Sequence, residues 1–524
     1  MAILLLSCLP VAALAQTPAS PQIMADVKSG NFQAAEALAA ATGDPLMSKL
    51  VTFFRLTDPG GGSADDINAF IAANPDWPDQ GLLARRAAEA AGLPPESAFT
   101  TTPLFLQQIA TLQNTGQDAQ AATLWTSQAA SAAATSSPAQ QLMFWPAANS
   151  LARALLAEGD AKSAYAVTIA FTPPASAHEQ IADRQFFAGF LALRFLHAPS
   201  QAAIWFTSLA NSSDAVITQA RAWYWLGRTQ SGAAAAADYA RAASYPDTFY
   251  GQLAAIALGD SPAALANRIL AAGEPNFTAA DALNFALMEL PRAAALLAQM
   301  NDTQDAALFL NRLGQVAPDD RTRELAAKLA LGLGLPQSAV AIARIAGADG
   351  QMLVREGWPT PLTPPAGPIE PAITDGIIRQ ESSFDAAATS GAGALGLMQL
   401  LPSTARHTAR KAGLPFNGDL FDPQENLALG TAYVAELEQS FGNCLPLAIA
   451  AYNAGPANVA HWLDENGDPE LGHNAGGADI IDWIEEIPFS ETRNYVQRVT
   501  EGIVIYRALL TGSADDPVTP WLTK

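Results

Sequence analysis

From about residue 25 to 355, apolar positions recur at helical spacing in runs of about 10–18 residues. Short breaks of Gly, Pro, Asp and Asn separate the runs. The spacing predicts helices over 150–157 and 161–171, broken at Gly159-Asp160 and Pro173-Pro174. It predicts further pairs over 214–227 and 233–243, and over 325–333 and 337–345 around Gly334-Leu335-Pro336. Strand-like alternation is almost absent. Each unit reads as a helix, a tight turn and a second helix. One such hairpin cannot bury its apolar face alone, but stacked neighbours can. The expected fold class is all-α, with an N-terminal α-superhelical solenoid and no strict repeat period.

Two segments interrupt this texture. Residues Ala2–Ala15 form a short apolar run ending Ala13-Leu14-Ala15, with no charged side chain before Asp26. A small-x-small triplet after such a run is the pattern of secretory cleavage, so 1–15 reads as a signal peptide without the usual basic start. A buried N-terminal helix and a lipid anchor at Cys8 are the alternatives. The second interruption is proline-rich: Pro359, Pro361, Pro364-Pro365, Pro368 and Pro371. Proline this dense removes donors and stops helices. The expected division is 16–355 for the helical region, 356–369 for a linker, 370–512 for a compact C-terminal domain and 513–524 for a tail. Two to four domains suit a chain of 524 residues.

Charge narrows the function. The chain carries 28 Lys+Arg against 50 Asp+Glu, a formal charge of -22. From Glu370 onward the acids outnumber the bases 21 to 8. Nucleic-acid binders gather basic patches against phosphate, so no nucleic-acid partner is expected. No later apolar stretch approaches the ~20 residues of a membrane span. The cysteines are Cys8 and Cys444. Cleavage after Ala15 leaves one thiol and no disulfide framework, and Cys444 reads as a buried structural thiol. The five histidines are scattered, so neither metal nor cofactor is expected.

Candidate chemistry gathers after residue 370. Glu381 ends an apolar helix close to a turn. Partial burial there raises a carboxyl pKa, and the helix C-terminus pushes the same way. That is the profile of a general acid, although most helix-end glutamates are simply solvated. Asp385 reads as a turn aspartate that accepts backbone N–H groups. Gly391, Gly393 and Gly396 precede Gln399, and the lack of a following Lys-Ser/Thr pair argues against a phosphate loop. Tyr452 and Asn453 end another apolar helix, capped by Gly455-Pro456. Upstream, Trp223, Tyr224 and Trp225, with Tyr245, Phe249 and Tyr250, read as core plugs between helices, or else as a sugar-stacking platform.

Four blocks carry a specific resemblance: Glu381-Ser382-Ser383-Phe384; Gly396-Leu397-Met398-Gln399; Ala451-Tyr452-Asn453-Ala454-Gly455; and Ile484-Glu485-Glu486-Ile487-Pro488-Phe489, running on through Glu491-Thr492-Arg493-Asn494-Tyr495. The C-terminal region resembles the soluble lytic transglycosylases, whose catalytic domain is lysozyme-like. The stretches 222–228 and 245–251 resemble the helical superhelix of the large members. The resemblance implies a superhelical ring or arc followed by a lysozyme-like domain. It also implies an enzyme of the periplasm that cleaves the MurNAc–GlcNAc bond of peptidoglycan glycan strands and leaves 1,6-anhydro ends. By the same resemblance Glu381 is the catalytic acid, while Ser390, Gln399, Tyr452, Asn453 and Glu485 contact substrate. Glu485 is expected as a second acidic cleft residue that orients Tyr452 or holds substrate. Glu486 is expected in solvent, and Arg493 and Tyr495 as structural or carbohydrate-facing. Leu401 stands where relatives often carry methionine, an apolar exchange that reshapes the cleft slightly. Residues 464–477 read as a mobile loop at the cleft rim. A lysozyme-type hydrolase, which adds water, and a glycan-binding scaffold without turnover remain open.

Overall fold

The computed structural model describes residues 20–93, 100–273, 275–364, 367–471 and 478–521. The proposed signal peptide and residues 472–477 of the proposed rim loop lie outside them. Among the described residues the structure is helical throughout, with only the isolated bridges Thr389–Leu395 and Leu395–Leu400 in place of strands. The predicted helices are present with bounds close to those expected: Phe144–Ala157, Ala161–Ile169, Val216–Arg228, Gly232–Ala242, Asp320–Gly332 and Pro336–Ala348. The early part of the proposed rim loop is not loop, since Pro456–Asn466 is helical.

The chain forms two compact units; it passes from the first to the second between Pro361 and Leu362, inside the linker expected at 356–369, while the helical region expected at 16–355 is divided between both. The first comprises the described residues up to 93 with Gly273–Gly347 and Leu353–Pro361. Its core packs Leu50, Phe53 and Trp77 against Leu297 and Phe309. Part of the expected linker belongs to it, because Trp358 is buried and Glu356 pairs with Lys328.

The second unit joins residues 100–272 to Ala348–Met352 and everything described from 362 onward. Its upstream helices include α1 (Phe144–Ala157), α2 (His178–Arg194), α3 (Val216–Arg228) and α4 (Phe249–Ala257). Phe186, Phe190 and Phe206 surround Trp225, which packs on Tyr250. The core reading of these aromatics therefore holds for Tyr224, Trp225, Phe249 and Tyr250, all buried. Trp223 is half-buried under Arg241.

The C-terminal part holds α5 (Pro371–Glu381), α6 (Pro402–Ala412), α7 (Pro423–Ser440), α8 (Leu445–Ala454), α9 (Pro456–Asn466), α10 (Ile480–Glu486) and α11 (Ser490–Thr511). Proline stands in the first turn of α5 to α9, where its missing N–H costs nothing. Helix α5 packs antiparallel on α11. Gly376 makes this close approach possible, because a Cβ there would meet Ile503 at 2.9 Å.

Buried charges bind this part to the upstream helices. Asp482 of α10 pairs with Arg194 and Arg228. The Glu501 carboxylate accepts the Phe249 N–H at 2.9 Å, an otherwise unpaired donor at the start of α4. Such pairs are costly to break once desolvated.

Candidate active site

Glu381 is the last residue of α5 and lines a cavity of about 660 Å³. After it the chain turns through Ser383 and Phe384, both in the left-handed region at φ 51° and 70°. This sharp exit swings the backbone away and leaves the Glu381 carboxyl at the cavity wall. The Ser382 hydroxyl donates to the Leu397 carbonyl at 2.8 Å, tying the turn to the glycine-rich segment. Asp385 accepts the Ala387 N–H at 2.9 Å, as expected of a turn aspartate.

The Glu381 carboxyl is half-buried, and one protein hydroxyl reaches it. Tyr495, on the second turn of α11, donates to Oε1 at 2.6 Å. Burial pushes the Glu381 pKa up from 4.5 to about 7. The Tyr495 bond opposes this shift by favouring the ionised form, and Glu491 nearby reinforces it through like charge. The Tyr495 and Tyr452 phenols are themselves held well above their ordinary value, first by burial and then by the Glu381 charge. At neutral pH both therefore remain neutral hydrogen-bond donors.

The glycine-rich segment shapes the opposite wall. Ser390 and Ala394 close a turn: Ser390 N–H donates to the Ala394 carbonyl, and Ala394 N–H donates back to the Ser390 Oγ, each at 3.0 Å. Leu395 and Leu400 exchange a pair of backbone bonds at 3.1 Å. Inside this loop Gln399 is left-handed, at φ 46°. Its Nε2 donates to the Ala388 and Gly396 carbonyls at 3.0 and 2.8 Å. Among the described residues its side-chain oxygen meets no donor. A non-glycine residue in this region is a local cost that the surrounding bonds must hold in place.

Asn426 of α7 is the organiser that the sequence reading missed. It is 0% exposed, accepts the Met398 N–H at 2.8 Å and donates to the Leu395 and Leu420 carbonyls at 2.9 Å. Its signal was an asparagine amid the apolar face of a helix, which must find partners if buried.

Tyr452 and Asn453 reach the cavity from the end of α8. The Tyr452 hydroxyl donates to the Met398 carbonyl at 2.7 Å. Asn453 accepts from the Thr492 hydroxyl at 2.6 Å. Thus Glu381, Ser390, Gln399, Tyr452 and Asn453 share one cavity, with Tyr495, Glu491 and the 41% exposed Leu401.

Glu485 is not among them. It is 0% exposed and accepts from Arg221 at 2.6 Å, from Gln497 at 2.8 Å and from the Tyr250 hydroxyl. The expected role in orienting Tyr452 or holding substrate is therefore corrected. The carboxylate is sealed between α10, α11 and the upstream helices, where it balances the half-buried Arg221 guanidinium. Arg493 belongs to the same cluster and donates to the Ile487 carbonyl at 2.7 Å. Nor is Glu486 fully in solvent, where it was expected. It is half-buried in a separate cavity, and desolvation carries its pKa to about 8. Tyr495 instead takes the place in the cleft that Glu485 was expected to hold.

The chain matches the family described as "Transglycosylase SLT domain" over residues 366–492. It is 42% identical over 134 residues to the soluble lytic murein transglycosylase of Escherichia coli strain K12, covering 25% of this chain and 20% of that protein. It is 44% identical over 136 residues to the putative soluble lytic murein transglycosylase of Haemophilus influenzae, covering 25% and 21%. The matched stretch is thus about a fifth of the length of these relatives. The X-ray structure of an inactive mutant of the lytic transglycosylase Slt from Pseudomonas aeruginosa aligns with a TM-score of 0.60, covering 95% of this chain and 97% of that one. At 21% identity that likeness concerns the fold, which the two share along nearly their whole length. The similarity to the transglycosylase SLT family thus lies in the domain at 366–492.

Proposed function

We propose that the protein is a lytic transglycosylase that cleaves the MurNAc-β-1,4-GlcNAc bond of peptidoglycan. The observation that carries this reading is the Glu381 carboxyl, half-buried at a polar cavity wall with a pKa near 7. Such a group holds a proton at neutral pH yet can release it, as one residue serving as acid and then base requires.

The steps balance within the substrate. Protonated Glu381 gives its proton to the glycosidic oxygen as the bond to C1 breaks. The N-acetyl group of the same sugar stabilises the positive charge at C1. The Glu381 carboxylate then takes the proton of the C6 hydroxyl, and O6 closes on C1 to form the 1,6-anhydro ring. Intramolecular attack draws on proximity and needs no second carboxylate, unlike the usual two-carboxylate glycosidase. Tyr495 holds the Glu381 carboxyl in one orientation. Ser390, Gln399, Tyr452 and Asn453 supply the polar wall that binds the sugars. Glycan strands are the proposed partner and the periplasm the proposed location. No described helix is long and apolar enough to cross a membrane.

One observation favours hydrolysis as the second reading. Glu491 is an exposed carboxylate in the same cavity, where it could activate water. Digestion of purified sacculi, followed by mass analysis, separates the two. Anhydro ends that vanish in Glu381→Gln support transglycosylation. Reducing ends from the wild type would replace it with hydrolysis.

A further inference from the structure

The catalytic cavity does not end at α11. Glu491 and Asn494 line it and also line a neighbouring cavity of about 610 Å³. Ser490 lines that neighbour and a third cavity of about 490 Å³, between α1 and the residues Glu465, Asn466, Glu486 and Pro488 to Ser490. The three cavities follow one another along the first turn of α11, and all lie within the second unit.

The chemistry of the third cavity is specific. Phe489 is a large apolar ring left 50% exposed. Trp462 braces it edge-on, with ring centroids 5.2 Å apart at 87°. Around it stand groups with hydrogen-bonding capacity to spare. Glu486 meets no hydrogen-bond partner among the described residues. Asn149 accepts from Arg153 Nε at 3.1 Å, which leaves its amide N–H groups free. Arg153 donates to the Glu485 carbonyl at 3.0 Å and is thereby fixed in place. Asn466 adds a further carboxamide to the lining.

An exposed aromatic ring flanked by amides and carboxyls matches a pyranose. The ring face takes the sugar's C–H groups, and the amides and carboxyl take its hydroxyl and acetamido groups. A phosphate would face the Glu465 carboxylate, and a purely apolar ligand would leave the Glu486 carboxyl without a hydrogen-bond partner. We propose that this cavity is a remote saccharide subsite, which holds sugars of the same glycan strand whose scissile bond lies at Glu381. The proposal rests on the reading of the protein as a glycan-cleaving enzyme.

The test uses full-length Glu381→Gln protein, which binds without cutting, alone and with Phe489→Ala or Asn149→Ala added. Affinities are measured for a disaccharide fragment, too short to leave the Glu381 cavity, and for purified long glycan strands. The readout is the ratio of strand to fragment affinity. Each added substitution is expected to lower that ratio by about tenfold. An unchanged ratio in both would overturn the subsite. Phe489 touches Trp462 and its loss could loosen the fold, so Asn149, on the opposite wall, provides an independent variant. If Glu381→Gln alone binds neither ligand, the reading of function fails with the subsite. If it binds both at a ratio the additions do not move, only the subsite fails.

Discussion

Replacing Glu381 with glutamine should cost activity and gain stability, and the gain should depend on pH. The carboxyl titrates near 7 in the folded protein against an ordinary 4.5, first because burial desolvates its charged form. Below about 4.5 the group is protonated in both folded and unfolded chains, and it contributes no difference between them. Between the two values the unfolded chain gives up its proton while the folded one keeps it. Above about 7 both are ionised, and the folded state carries the full cost of the buried charge. At ~1.36 kcal/mol per pH unit, the span from 4.5 to about 7 amounts to about 3 kcal/mol. Water reaching the half-buried group makes this a ceiling. Glutamine keeps the shape and can still accept from Tyr495, but it carries no charge. The variant should therefore be more stable than the wild type at pH 8, by up to about 3 kcal/mol, and nearly equal to it at pH 4. Urea unfolding of both proteins at both pH values measures this. Asp247, Asp375 and Glu486 also titrate high because of burial. Comparison at a single pH cancels them, since both proteins contain them. A variant no more stable at pH 8, or equally stabilised at pH 4, would refute the claim that Glu381 is held as a costly buried acid.

Tyr495→Phe removes the hydroxyl that favours the ionised form of Glu381, so the alkaline limb of the pH–activity profile should move up by about one pH unit. A limb that stays put or moves down would contradict the 2.6 Å bond as described. Glu485→Ala should destabilise the protein by about 3–5 kcal/mol, because it strands the Arg221 guanidinium in a buried cluster. Denaturant unfolding checks this, and the pH–activity profile of the surviving folded enzyme should keep its alkaline limb. Gly396→Ala should lower both stability and activity, with a stability loss of about 3 kcal/mol. Its φ is 75°, and a Cβ there would overlap the Leu420 carbonyl and the Asn426 amide that hold the Gln399 turn. A variant with wild-type unfolding and turnover would show that this turn is not constrained.

The sequence by itself determined the helical class, the positions of most helices and the segment that holds the candidate site. Local physics suffices for these. Apolar spacing specifies a helix face and Pro and Gly mark its ends, whereas Glu381 at an apolar helix end was a weak signal until the resemblance of its motif singled it out. Ser390, Gln399, Tyr452 and Asn453 were singled out through the resemblance of their motifs, and the structure brings them into one cavity with Glu381. Only the tertiary structure decided what depends on partners far along the chain. Glu485 and Glu486 are adjacent and chemically identical. One meets Arg221 and Tyr250, more than 230 positions upstream, and the other is left half-buried in a separate cavity. Tyr495 gains its role because α5 and α11 pack antiparallel and bring residues 114 positions apart within hydrogen-bonding reach. Asn426 becomes the organiser of the Gln399 turn for the same reason. A crossing between compact units lies at Pro361–Leu362, among the prolines, but composition gave no sign that the helical region before it is shared between both units, because compact units follow where buried charges and aromatic rings find each other. Long-range pairing carries no periodic signal along the chain, so burial and partner identity emerge only when the helices are packed.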